Sequence, residues 1–233
     1  MRTTAIVLAA GKGKRMQSDV PKQYLLLHNK PVLYYSLKAF EDSSVDEIIL
    51  VTAEDERDYC RKNIVERFHF TKVSQIVSGG KERYHSVYQA LQACKSCEYV
   101  LIQDGARPFL TQELLKRMLK EVMRYGACVA AVSVKDTVKI ADADGFVDST
   151  PNRKLLYNVQ TPQVFSYELI KGAYEQLIRN EDRLLTDGIQ ITDDAMVVET
   201  FTDKRVKLVE GAYENIKITT PQDLEVAKNM FDI

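Results

Sequence analysis

Short apolar runs alternate with longer amphipathic stretches from one end of the chain to the other. Thr4–Ala10, Glu47–Thr52, Val73–Val77, Tyr99–Gln103 and Cys128–Ser133 are β-branched or continuously apolar over strand length. That is the pattern of strands buried on both faces. Between and after them, Val32–Phe40, Glu54–Phe68, Arg83–Ala93, Gln112–Tyr125, Tyr167–Ile178 and Gln222–Phe231 carry apolar residues at helical spacing. The rhythm predicts βαβ units, hence an α/β fold with a mostly parallel twisted sheet and helices on both faces. Ligands in such folds bind beyond the carboxyl ends of the strands, so functional residues are expected just after each strand.

One region breaks the rhythm. Val134–Tyr157 has no helical period, and Ala141-Asp142-Ala143-Asp144-Gly145 supplies a turn, so residues 134–158 are expected to form a projecting β-arm. With few apolar residues of its own the arm is expected to pack on a partner subunit; a long surface hairpin without a partner is the alternative. No linker composition or repeat divides the chain, which predicts a single domain over residues 1–233.

Composition narrows the function. Of 233 residues, 32 are Lys or Arg and 33 Asp or Glu, a formal charge of -1. That balance gives no general electrostatic basis for binding nucleic acid or an anionic membrane. No apolar run is long enough to span a bilayer, and the opening Met1-Arg2-Thr3-Thr4 leads directly into a strand, so a cytoplasmic, unprocessed protein is expected. Four cysteines are too few for a disulfide scaffold. Cys94-Lys95-Ser96-Cys97 is the one suggestive spacing; it falls at a helix end with no second ligand pair and is read as structural. His28, His69 and His85 show no metal-binding spacing.

Three strand ends hold candidate chemistry. Ala9-Ala10-Gly11-Lys12-Gly13-Lys14-Arg15-Met16 follows the first strand, and Pro21-Lys22-Gln23 comes soon after. Its glycines admit a polyphosphate close to the backbone, and Lys12, Lys14, Arg15 and Lys22 supply cations. It is neither a Walker A loop nor GxGxxG, since Met16 occupies the third glycine's place; an ordinary turn is the competing reading. Ser78-Gly79-Gly80-Lys81-Glu82-Arg83 opens a helix carrying Ser86, where main-chain groups and one hydroxyl can read a base edge, or it is a plain strand-to-helix turn. Gln103-Asp104-Gly105-Ala106-Arg107-Pro108-Phe109 places Asp104 at a strand end within reach of ribose or a metal ion. Asp104 can equally be a cap, and Arg107 a structural ion-pair partner. Downstream lie Asp136-Thr137-Val138-Lys139, Arg153, the run from Gln160 to Phe165, Ile191-Thr192-Asp193-Asp194-Ala195, and the run from Asn215 to Leu224, where Thr220-Pro221 also reads as a helix start.

Together, in this order, these blocks resemble the 2-C-methyl-D-erythritol 4-phosphate cytidylyltransferases of non-mevalonate isoprenoid biosynthesis over essentially the whole chain. The resemblance implies a Rossmann-like nucleotidyltransferase fold and Mg²⁺-dependent transfer of CMP from CTP to methylerythritol phosphate, with release of pyrophosphate. It also implies a homodimer whose arms complete each other's sites. By the same resemblance, Arg15, Lys22 and Lys217 are the catalytic cations, and Ala9, Ala10, Gly11, Gly80, Lys81, Ser86 and Asp104 bind CTP. Asp104 is in addition the candidate metal ligand, and Thr137, Arg153, Thr161 and Thr192 surround the acceptor. Gln103 departs from the histidine expected there, a local variation that leaves the catalytic set intact.

The chemistry suits such a site. A phosphate monoester has its second pKa near about 6, so the acceptor is already largely dianionic and needs no general base. Positioning and charge neutralisation then carry phosphoryl transfer. A slot walled by Gly80 and Lys81 is expected to be too small for a purine. The rival readings are a ribitol 5-phosphate cytidylyltransferase, which shares the nucleotide site, and more distantly a nicotinamide-dependent oxidoreductase, against which the Met16 position speaks.

Overall fold

The computed structural model describes residues 2–11, 13–16, 18 and 20–231. Lys12, one of the expected loop cations, lies outside the described residues, as do Gln17, Asp19 and the side chain of Lys14. In chain order the strands are β1 (Thr3–Leu8), β2 (Leu26–Leu27), β3 (Lys30–Pro31), β4 (Glu47–Thr52), β5 (Val73–Ser78), β6 (Tyr99–Asp104), β7 (Ala127–Ser133), β8 (Ile140–Ala141), β9 (Val147–Ser149), β10 (Tyr157–Ser166) and β11 (Lys207–Glu210). The α-helices are α1 (Val32–Glu41), α2 (Arg57–Cys60), α3 (Arg83–Ala93), α4 (Gln112–Tyr125), α5 (Tyr167–Arg179), α6 (Glu181–Thr186), α7 (Asp194–Phe201) and α8 (Pro221–Phe231).

Seven strands form one sheet in the order β11-β7-β10-β6-β1-β4-β5. β1 pairs in parallel with β4 and β6, β4 with β5, and β7 with β11, while β10 runs antiparallel to both β6 and β7. The central strands are apolar on both sides because each side meets helices. Leu33, Leu37 and Phe40 of α1, Ile64, and Leu114, Leu115 and Met118 of α4 pack on one face. Val87 and Leu91 of α3, Ile170 and Tyr174 of α5, and Val197 and Val198 of α7 pack on the other.

The five strands expected from the sequence are present, the first ending at Leu8 rather than Ala10. The expected helix over 54–68 is one helical stretch whose winding changes, from 3₁₀ at Glu54–Glu56 through α2 to a π-turn at Arg61–Glu66. Six elements add to the expected set: the short pair β2 and β3, and β10, α6, α7 and β11. β10 escapes the apolar pattern because it buries Gln160, Thr161 and Gln163 and has Pro162 at its middle, after a cis Thr161-Pro162 bond. Its polar groups are satisfied by distant loops: Gln160 Nε2 donates to the Ala212 carbonyl at 2.8 Å and Gln163 Nε2 to Asp193 Oδ2 at 2.9 Å.

Residues 134–156 leave the sheet as a two-stranded hairpin, β8 against β9, followed by a 3₁₀ turn at Arg153–Leu155. Every residue from Lys135 to Thr150 is exposed.

Candidate active site

The chain crosses from β5 back to the other side of β1 before forming β6, so the strand order reverses between β1 and β6. A crevice opens outside the carboxyl ends of strands at such a reversal. A cavity of about 680 Å³ lies there, walled by the ends of β1 and β6, the start of α3, Lys22 and Lys217. It gathers Ala9, Ala10, Gly11, Lys22, Gly80, Lys81, Ser86, Asp104 and Lys217, nine of the residues expected from the sequence.

Close packing shapes the wall. A Cβ at Gly79 would lie 2.5 Å from the Ala10 Cβ and 2.8 Å from the Ser86 Oγ, so only glycine lets the β5–α3 turn approach the end of β1. Ser86 is buried; its hydroxyl accepts from the Gly80 N–H at 3.0 Å and donates to the Glu82 carbonyl at 3.3 Å, which fixes the turn. Gly13 has φ +59°, and the methylenes of Lys22 pass within 3.4 Å of where its Cβ would stand.

Lys22 opens a 3₁₀ turn, Lys22–Tyr24, whose next two side chains tie it down. Gln23 Nε2 donates to the Ala9 carbonyl at 2.7 Å, and the Tyr24 hydroxyl donates to Glu56 Oε2 at 2.8 Å. Lys22 Nζ donates to the Ile218 carbonyl at 3.2 Å. Burial first, then the charge of Lys217, pushes its pKa down to about 8; Asp104 opposes this, and Arg15 and Arg107 add to it. Arg15 therefore belongs to the same electrostatic cluster, although its side chain is exposed on the Lys14–Met16 turn.

Asp104 is the centre of the cluster. Burial alone would raise its pKa, but Arg83, Lys217 and Arg107 hold it well below the usual carboxylate range. Lys217 Nζ lies 2.8 Å from Oδ2, Arg83 Nε 3.4 Å from Oδ1 and Arg107 Nε 3.8 Å from Oδ2. The loop bearing Lys217 is stapled in place: Arg107 Nη1 donates to the Asn215 carbonyl at 2.6 Å and the Ile218 N–H to the Ala106 carbonyl at 2.9 Å. Asn215 is fully buried and donates to the Thr161 carbonyl at 2.8 Å. Thr161 lies behind the cavity, its hydroxyl accepting from the Asp104 N–H at 3.1 Å. Successive strand residues point to opposite faces, so buried Gln103 faces away from Asp104 and the cavity.

Thr192 lines a neighbouring cavity of about 630 Å³ that shares Lys81, Glu82 and Arg83 with the first. Thr137 and Arg153 lie on the exposed hairpin and line neither cavity; Arg153 Nη1 donates to the Lys135 carbonyl at 2.8 Å.

Arg83 is the main residue the sequence reading left without a role. Nη1 and Nη2 each donate to Asp194 at 2.8 Å, a bidentate pair, and Nε faces Asp104. Asp194 is fully buried and also accepts from the Tyr174 hydroxyl at 2.5 Å. A guanidinium between two carboxylates joins α3, α7 and the end of β6 at the wall shared by the two cavities.

A parallel-sheet crevice lined by glycine turns, cations and one deeply set aspartate is the kind of site in which an α/β protein binds a phosphorylated ligand. The chain matches the 2-C-methyl-D-erythritol 4-phosphate cytidylyltransferase (IspD) family over residues 3–232, and it belongs to that family. It is 49% identical over 227 residues to the 2-C-methyl-D-erythritol 4-phosphate cytidylyltransferase of Lachnoclostridium phytofermentans, covering 97% of this chain and 95% of that one. With the protein of the same name from Lachnospira eligens it is 52% identical over 225 residues, covering 96% of each. Its fold is similar to the crystal structure of 4-diphosphocytidyl-2C-methyl-D-erythritol synthase from Anaerococcus prevotii, with a TM-score of 0.86 and 36% identity, covering 100% of this chain and 96% of that one.

Proposed function

We propose that the cavity between β1 and β6 binds CTP and that the enzyme transfers CMP to 2-C-methyl-D-erythritol 4-phosphate, releasing pyrophosphate, in isoprenoid biosynthesis. The observation that carries the residue assignment is the convergence of Lys22 and Lys217 on Asp104 where the strand order reverses. Ala9, Ala10, Gly11, Gly80, Lys81 and Ser86 hold the nucleoside, and the β5–α3 turn closes the slot to a purine. The triphosphate lies against Lys22, Lys217 and Arg15.

Reaction then follows from charge. The acceptor phosphate is largely dianionic at neutral pH and attacks the α-phosphorus without a base. Lys22, Lys217 and Arg15 stabilise the charge that accumulates on the transferring group, the dominant contribution in this class of reaction. Asp104 holds Lys217 in place for this.

Among the described residues no three His, Cys, Asp or Glu side chains converge on a point, so a metal has no cage of its own. Mg²⁺ is usually held by one or two carboxylates together with substrate phosphates. Asp104 fits that mode: it stays ionised and can supply one oxygen to an ion carried by the triphosphate. The ion would neutralise triphosphate charge.

Thr161 and Thr192 border the acceptor site, which Thr137 and Arg153 complete from a partner's arm. Residues 134–158 act as that dimerisation arm on an otherwise single catalytic domain. Ile140, Phe146, Val147 and Leu155 support this reading, since each is at least half exposed on the hairpin. The test is pyrophosphate release with CTP, Mg²⁺ and either methylerythritol 4-phosphate or ribitol 5-phosphate. Turnover is expected with the first alone and with CTP in preference to ATP or UTP. Preference for ribitol 5-phosphate, or equal use of ATP, would overturn the assignment.

A further inference from the structure

All four cysteines are free thiols. Cys60 and Cys128 are fully buried, and burial pushes them up to about 11 and about 12. They stay protonated and inert at neutral pH. Cys94 and Cys97 are placed differently. Cys94 caps the end of α3, its N–H donating to the Ala90 carbonyl at 3.1 Å, and its own carbonyl accepts from the Tyr167 hydroxyl at 3.1 Å. Cys97 stands three residues on, just before β6. The exposed turn Lys95-Ser96 between them folds back so that the two Sγ atoms lie 3.0 Å apart, with either able to donate to the other.

We propose that Cys94 and Cys97 form a reversible dithiol–disulfide site, separate from the active site, that takes small-molecule disulfides as its oxidant. The sulfurs need to close by about 1 Å to bond, and the intervening turn is exposed and free of core side chains. Cys94 is only 5% exposed, whereas Cys97 is half-buried, so the oxidant meets Cys97 first. Cys97 passes its proton to the Cys94 sulfur 3.0 Å away and attacks one sulfur of the oxidant; the expelled half takes that proton from Cys94 and leaves as a thiol, so that a mixed disulfide stands beside the Cys94 thiolate. Cys94 then attacks the Cys97 sulfur and expels the second half. Two protein thiols lose two electrons and two protons, and the oxidant leaves as two thiols.

The pair also supplies the thiolate that such exchange needs. The hydrogen bond from Cys97, against burial, and then the Thr4 hydroxyl and the Ser96 N–H bring Cys94 down to about 7, while Cys97 is pushed up. The site lies beside Thr4 at the amino end of the sheet, 3.6 Å from its Oγ1. The cavity is at the other end of β6, about 15 Å away along the strand.

The full chain is incubated with millimolar oxidised glutathione at about pH 8, and thiols are counted after denaturation. Within hours, the scale of uncatalysed exchange, two of the four thiols are expected to vanish. The mass should fall by two hydrogens, a peptide map should join Cys94 to Cys97, and dithiothreitol should restore all four. Cys94→Ser should trap glutathione on Cys97. Cys97→Ser, which leaves the α3 cap intact, should form no disulfide and take up no glutathione. Four surviving thiols in the parent, a stable glutathione adduct on it, or a bond to Cys60 or Cys128 would overturn the proposal. Turnover in the cytidylyl-transfer assay should stay within about twofold of the reduced protein, since the cavity is remote.

Discussion

Lys22 makes the proposed site cost stability. Its pKa falls from an ordinary 10.5 to about 8 because the fold surrounds it with little water and several like charges. Below about pH 8 the lysine is charged in both the folded and unfolded chain, so folding bears the whole penalty. Between about 8 and 10.5 the folded protein has released a proton that the unfolded chain keeps, and stability rises with pH. Lys22→Met should therefore raise the Tm of the substrate-free enzyme by a few degrees at neutral pH, with the gain shrinking to nothing as pH climbs to about 10.5. The same variant should lose turnover by on the order of a hundredfold or more, as removal of a transition-state charge partner does. A variant less stable than the parent at pH 7 would refute the reading. Calorimetry should also show CTP affinity of the parent falling above about pH 8, and Lys22→Arg should hold its affinity flat, since a guanidinium stays charged there.

At the level of elements, Arg83 and Asp194 couple α3 to α7 unequally. Asp194 is fully buried, while the Arg83 side chain is 30% exposed toward the cavity. Arg83→Met strands a carboxylate in the core with, among the described residues, only the Tyr174 hydroxyl to answer it, and should cost roughly 3–5 kcal/mol. Asp194→Asn leaves a cation that cavity water can still solvate and should cost less; urea unfolding of the two variants checks the order. This pair also shows where the sequence stops being legible. The strands announce themselves because Ile48 to Val51, buried on both faces, form an unbroken apolar run. Asp104 is legible as an aspartate at the end of such a run. The partner of Arg83 is not, since it lies 111 residues away on a helix that only packing defines. β10 is hidden for a related reason: Gln160 and Gln163 look like loop residues until Ala212 and Asp193 fold over to satisfy them.

On the scale of the whole molecule, the hairpin touches the body at its base, where Lys135 Nζ lies 3.6 Å over the Tyr213 ring, and is shaped further out by its own bonds. Arg153 holds the Lys135 carbonyl, and Lys139 Nζ donates to Thr150 Oγ1 at 2.7 Å. Phe146 and Leu155 are 72% and 75% exposed, an apolar surface that a closed dimer would cover. If each arm serves its partner, the site of one subunit draws Lys22 from its own chain and Arg153 from the other. Lys22→Ala and Arg153→Ala should each be nearly inactive alone, the second through weakened acceptor binding with CTP binding kept. When the two are unfolded together and refolded in equal amounts, half of the dimers are mixed. Each mixed dimer has one site with both defects and one with neither, so about a quarter of the parental activity should return. Were Arg153 to act on its own chain, every site would carry a defect and mixing would restore nothing.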